Sequence, residues 1–188
     1  MSRFLKIFVV LSFVLAFVQT AGADLVTNGG FEDGFNGWTE TLATSGSDLQ
    51  IVSISHSGVY AAGFGAYYPP GDTITQNLAT TPGQSYTFSF WLYHEFTDNE
   101  NDFYAAWNGN TVLSLIYGAT NGPFPYTEYS YIVTATGTST AISFTGCENT
   151  AWYILDDVSV DPVPLPGAIL LLGSGLVGLT GWRRFRKV

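Results

Sequence analysis

The chain has 188 residues, with 11% charged and 16% aromatic side chains. All six Lys and Arg residues sit at the ends (Arg3, Lys6, Arg183, Arg184, Arg186, Lys187), while all fifteen Asp and Glu lie from Asp24 to Asp161, so fifteen acids against no base give that stretch a formal charge of −15. This excludes nucleic-acid binding by phosphate neutralisation, and a single cysteine, Cys147, excludes an intramolecular disulfide. With Thr, Tyr, Gly, Ser and Asn abundant, the composition predicts an all-β domain large enough to bury its own core.

Residues 1–23 read as a signal peptide. Arg3 and Lys6 form a basic start, Ile7 to Val18 a short apolar stretch, and Ala21-Gly22-Ala23 a small-x-small site with cleavage before Asp24. Passage through the Sec translocon and cleavage by signal peptidase follow from that pattern. Strands are predicted for Gln50–Ile54, Thr73–Leu78, Gln84–Phe96, Thr111–Tyr117, Thr127–Thr136, Thr140–Thr145 and Trp152–Val160. Turn-forming residues separate them at a spacing that suits a β-sandwich over 24–161. No segment of useful length carries a helical period.

The strand from Gln84 can be resolved by face. Tyr86, Phe88, Phe90 and Leu92 share one parity and form the core side; Trp91, Tyr93 and Glu95 share the other. Two aromatics beside a carboxylate suit a sugar ring, which offers apolar C–H faces to stack and hydroxyls to pair. The competing reading is that Trp91 and Tyr93 pack under a loop. In that case a platform would have to come from Tyr67, Tyr68, Tyr104 or Trp107, placed in loops.

Other acidic positions suggest less. Asp98, Glu100 and Asp102 alternate in what reads as a solvated loop. A glycoside hydrolase would need two carboxylates facing each other across a cleft, and Glu95, Glu128 and Glu148 cannot be placed from sequence. His56 and His94 are the only histidines, and no nucleophile–base motif surrounds Cys147, which reads as a buried thiol. The sequence holds no phosphate loop and no histidine metal cluster.

Residues 162–188 form a separate module. Val163-Pro164-Leu165-Pro166 is an extended element, Ala168 to Trp182 is uncharged and mostly apolar, and four of the last six residues are basic. The apolar part is short for a full bilayer span, and the basic end marks a cytoplasmic side. This order resembles the PEP-CTERM sorting signal. The resemblance implies a short transmembrane sorting helix and processing near the Pro-x-Pro element by an exosortase-like transpeptidase. It also implies delivery to the cell envelope, the outer surface or the extracellular matrix, alongside exopolysaccharide. Where the family commonly has Glu between the prolines, this chain has Leu165.

Three motifs mark the central domain: Leu25-Val26-Thr27-Asn28-Gly29-Gly30-Phe31-Glu32 with Gly37-Trp38, then Ser57-Gly58-Val59-Tyr60-Ala61-Ala62, then Tyr153-Ile154-Leu155-Asp156-Asp157-Val158-Ser159-Val160. Together they resemble the jelly-roll, galactose-binding-like modules found among carbohydrate-binding modules. The resemblance implies that the first and last strands pair. It also implies a structural calcium held by Glu32, Asp156 and Asp157, with backbone near Gly58 contributing. The alternative is that these acids cap a turn.

The expectation is thus an all-β jelly-roll sandwich flanked by a signal helix and a short sorting helix. It would be non-enzymatic, and would act as a structural or polysaccharide-binding component of a biofilm or outer surface. A secreted glycoside hydrolase is the alternative.

Overall fold

The computed structural model describes residues 23–95, 101–116, 122–148 and 151–164. Among them there is no helix, and ten strands appear. They are β1 (Thr39–Thr41), β2 (Leu49–Val52), β3 (Ala61–Phe64), β4 (Asp72–Ala79), β5 (Ser85–His94), β6 (Asn101–Trp107), β7 (Asn110–Ile116), β8 (Phe124–Thr134), β9 (Ser139–Glu148) and β10 (Tyr153–Pro162). The expected signal helix and sorting helix both fall outside the described residues.

The strands form two five-stranded antiparallel sheets. The first has the order β1-β4-β9-β6-β7 and the second the order β2-β3-β10-β5-β8. From β3 onward the chain passes repeatedly between sheets, so neighbours in space are distant in sequence. That is jelly-roll winding.

Period-two alternation explains the layers. In β5 the residues Tyr86, Phe88, Phe90 and Leu92 are buried, and the intervening ones are half-exposed. On β9, Thr140, Ile142 and Phe144 face them from the other sheet. The rings meet between the sheets: Phe90 packs edge-on to Phe144 at 5.0 Å, and Phe88 lies tilted against Phe144 at 5.8 Å. Burying each such side chain contributes about 1.5–3 kcal/mol. Without a disulfide, this aromatic interior is what holds the domain.

Three strands were not legible in the sequence. β1 has only three residues. β3 reads AAGF and is buried throughout, so it shows no alternation. β6 begins at Asn101, within the stretch read as a solvated acidic loop. Asp102 therefore stands on a strand, and Asp98 and Glu100 lie outside the described residues. Tyr104 and Trp107, placed in loops from sequence, are also on β6, and Trp107 belongs to the core.

The N-terminal segment lies along β10 without forming a regular strand. Leu25 N–H donates to Val160 C=O at 3.0 Å, and Val158 N–H donates to Gly29 C=O at 3.0 Å. A Cβ on Gly29 would overlap the Val158 carbonyl oxygen, so this close approach requires glycine. Gln76 of β4 fixes the same segment from the other side, exchanging two hydrogen bonds with the Thr27 backbone at 2.8 and 2.9 Å. Val163 and Pro164 of the sorting element have no regular structure; Leu165 and Pro166 lie outside the described residues, as does Ala21 of the cleavage site. Ala23 and Asp24 are exposed.

Candidate functional site

The outer face of the second sheet carries Trp91 and Tyr93, as the parity of β5 requires. Both are half-buried, and Glu95 is exposed at the strand end. The Trp91 ring is already occupied, because His56 stacks on it with centroids 3.8 Å apart and planes 12° apart. Tyr126 of β8 meets His56 edge-on at 5.4 Å and lies 5.5 Å from Tyr93. Its hydroxyl donates to Ile54 C=O at 2.8 Å. Burial, and then the charges of Asp156 and Asp157, push the Tyr126 phenol up, so it stays a neutral donor. The loop from Ser53 to Tyr60 is thereby held down on the face.

The acids singled out in sequence hold the same loop. Asp156 Oδ2 accepts from His56 N–H at 2.8 Å and Ser57 N–H at 3.1 Å. Asp157 Oδ2 lies 2.7 Å from His56 Nδ1, and its Oδ1 accepts from Ser57 Oγ–H at 2.7 Å. Glu32 Oε1 accepts from Val59 N–H at 2.6 Å and Tyr60 N–H at 2.9 Å. A bulge in β10 between Asp156 and Ser159, with Asp157 at φ 46°, lets adjacent acids reach one loop. Burial pushes the Asp156 carboxyl up, with the Asp157 charge adding to the rise and the N–H donors of Ser57, Asp157 and His56 opposing it.

The three acids gather around one loop and act there as hydrogen-bond acceptors. A calcium ion needs six to eight oxygens. Here both oxygens of each aspartate already accept donors, the second on Asp156 coming from Asp157 N–H at 2.8 Å. Among the described residues no group of three or more His, Cys, Asp or Glu is placed to hold a metal.

The acids needed for a hydrolase are dispersed. Glu148 is fully buried against His94, with Oε2 and Nε2 2.7 Å apart. Glu128 is exposed on β8 opposite Trp91. Glu95 lies just past the end of β5, four residues on from Trp91. Cys147 is buried.

The first sheet presents a different outer face. It is built of small hydroxyl side chains in rows. Thr41, Thr73, Thr145 and Tyr104 align across β1, β4, β9 and β6, followed by Ser114 on β7. Thr73 and Thr145 join through their hydroxyls at 2.8 Å. The Tyr104 hydroxyl donates to Asp102 Oδ2 at 3.2 Å. Burial, and then Asp102, push its phenol up.

At the Thr41–Thr73 end this row runs into a depression of about 380 Å3. Leu42, Thr44, Ser45, Tyr68, Pro70 and Thr73 help line it. Tyr67 and Tyr68 beside it are exposed, at 47% and 54%. Its wall is pinned from below: buried Asp72 accepts from Ala43 N–H at 2.7 Å and Asp48 N–H at 2.9 Å, and Tyr67 N–H donates to Gly46 C=O at 2.8 Å. An open aromatic, a line of hydroxyls and a tyrosine–carboxylate pair therefore lie along one track. From sequence, Tyr67, Tyr68 and Tyr104 are only alternatives to Trp91 and Tyr93 as a platform. Strand register aligns Tyr104 with Thr73, and the turn before β4 sets Tyr68 beside Thr73; the sequence carries no signal for either.

Comparison with known proteins bears on both modules. Residues 162–187 match the PEP-CTERM protein-sorting motif. This marks the chain as an exported protein of the cell surface. No curated protein matches it in sequence. Solved structures match in fold. A family 61 carbohydrate-binding module, TmCBM61, solved with β-1,4-galactotriose, has a TM-score of 0.56 at 17% identity and covers 73% of this chain and 97% of its own. The CBM22-1 xylan-binding domain of Paenibacillus barcinonensis Xyn10C has a TM-score of 0.55 at 16% identity, covering 79% and 100%. A Stig cyclase, Fisc, from Fischerella sp. TAU has a TM-score of 0.55 at 12% identity, covering 78% and 100%. The shared property at these identities is the fold, which serves binding modules and an enzyme alike.

Proposed function

We propose that this protein binds polysaccharide along the outer face of its first sheet, as an exported component of a surface or exopolysaccharide matrix. The observation that carries the proposal is the track from the Tyr68 depression through Thr73 and Thr145 to Tyr104 and Asp102. Thr73 and Tyr104 stand two strands apart, about 10 Å, a span of roughly two sugar rings. Tyrosine faces would take the apolar sides of the rings and the hydroxyl rows their edges. The face around Trp91, Tyr93 and Glu95 is the rival location; a sugar there would first have to displace His56.

Retention on a panel of insoluble polysaccharides tests this. Tyr68→Ala and Tyr104→Ala should each lower retention about five- to tenfold with the fold intact, a stacking energy of about 1 kcal/mol or somewhat more. Trp91→Ala should leave retention unchanged. Loss of binding in the Trp91 variant alone would move the site to the second sheet. Release of reducing ends from the polysaccharide would point to a hydrolase instead.

Two further proposals stand apart from the binding face. Exosortase processing should leave mature protein that begins at Asp24 and lacks the basic tail; intact Arg183 to Lys187 in exported protein, seen by mass spectrometry, would contradict it. Calcium at Glu32, Asp156 and Asp157 would have to replace the donors those acids now accept. A melting temperature raised by calcium and lost in Glu32→Ala would support it, and identical melts with and without chelator would rule it out.

A further inference from the structure

The charge distribution narrows what a sugar on this face would be. From Asp24 to Trp182 the chain has no Lys or Arg. The two histidines are engaged elsewhere, His56 with Asp157 and His94 with Glu148 inside the sandwich. The described domain therefore offers no cationic side chain to a uronic acid, sulfate or phosphate, while its overall field repels them. The first-sheet track carries a negative group, Asp102, beside Tyr104 on the same strand. Thr41, Thr73 and Thr145 are neutral donors and acceptors.

We infer that the ligand of this face is a cationic amino-sugar polymer, a polysaccharide with free glucosamine-type amines, and that Asp102 and the Tyr104 ring together receive the ammonium group. The inference rests on the polysaccharide-binding reading above and specifies its ligand class. Two interactions act at one place. A carboxylate accepts a charge-assisted N–H bond from the ammonium, and a tyrosine face attracts the same cation through its ring quadrupole. Acetylating the amine removes the charge and both attractions, while leaving the ring faces and hydroxyls that the remaining track would bind. The charge of the domain adds long-range steering, which raises the association rate and weakens with salt.

Titration calorimetry of the purified full chain at 0.15 M NaCl would use four probes: the glucosamine tetramer, its fully N-acetylated form, xylotetraose and an oligogalacturonate. The glucosamine tetramer should bind at least tenfold tighter than the acetylated tetramer, and the oligogalacturonate should not bind. Asp102→Asn should collapse that preference, with a thermal melt that matches the unsubstituted chain. Tyr104→Phe keeps the ring and should keep most of the preference. Three results would overturn the inference. If xylotetraose binds as tightly as the glucosamine tetramer and Tyr104→Ala abolishes both, the polysaccharide site stands but its amino-sugar class falls. If the preference survives Asp102→Asn and Tyr104→Ala but disappears at 0.5 M NaCl, the attraction is diffuse and not seated on this face. If no probe responds to Tyr68→Ala or Tyr104→Ala, the binding face itself is wrong.

Discussion

The two outer faces of the sandwich carry similar kinds of residue and treat them in opposite ways. On the second sheet, Trp91, Tyr93 and Tyr126 lie beside carboxylates, yet the loop from Ser53 to Tyr60 is clasped over them by Glu32, Asp156 and Asp157. Ile154 and Asp156 are fully buried although they alternate outward with Tyr93 and Trp91. Trp152 lies across Gly63 and Gly65 of the same side. On the first sheet the acid network runs underneath: Asp72 is buried below the loop it pins, Tyr67 and Tyr68 above it are exposed, and Thr73, Thr145 and Tyr104 are half-buried. Aromatics next to acids are therefore not enough to mark a binding face. What matters is whether the acids spend their hydrogen bonds on a loop that covers the rings or on one that frames them.

The largest effect should come from breaking the covered side at its base. Gly29→Ala forces a methyl into the Val158 carbonyl and should cost about 3 kcal/mol of unfolding free energy, read by denaturant titration. A neutral result would mean the segment does not approach β10 as closely as described. Trp91→Ala should cost less, about 2 kcal/mol, because the ring is only half-buried. His56→Ala should be coupled to it by about 0.5–1.5 kcal/mol in a double-mutant cycle. Zero coupling would break the contrast between the faces, since it would leave the Trp91 ring free for a ligand.

The smallest effect is on pH. The Asp156 carboxyl is raised in the folded state, so the fold binds its proton more readily than the unfolded chain does. Stability contributed by this group is therefore lowest at neutral pH and grows as pH falls through its folded value toward 3.8, the ordinary aspartate value. Falling self-repulsion in a domain without Lys or Arg works in the same direction. Melting temperature should rise by a few degrees between pH 7 and pH 5, and Asp156→Asn should reduce that rise. A monotonic fall over the same range would contradict the account.

Much of the fold was legible because the amphipathic strands advertise themselves. The parity of β5 alone predicted which of its residues are core, and those buried in the structure agree. β3 and β6 were not legible for physical reasons. β3 is buried at every position, so Ala61, Ala62, Gly63 and Phe64 show no polar alternation. β6 opens with Asn101, buried although polar, and half-exposed Asp102, so its start reads as loop. The site was less accessible still. The stacking of His56 on Trp91 depends on a bulge at Asp157, 101 residues from His56 in sequence, and the Thr73–Thr145–Tyr104 row depends on register across three strands. Both are products of jelly-roll winding, in which adjacency on a face and adjacency in sequence are nearly unrelated.

The central claim is that the open face of the first sheet, and not the aromatic face of the second, receives a sugar. Backbone amide chemical shifts followed during titration with the glucosamine tetramer or a neutral xylo- or galacto-oligosaccharide read this directly. The account predicts that shifts concentrate at Tyr68, Thr73, Asp102, Tyr104 and Thr145 and leave His56, Trp91 and Tyr126 unmoved. Shifts concentrated on His56, Trp91 and Tyr126 would contradict it, because they would show that the loop lifts and that the covered platform is the binding site.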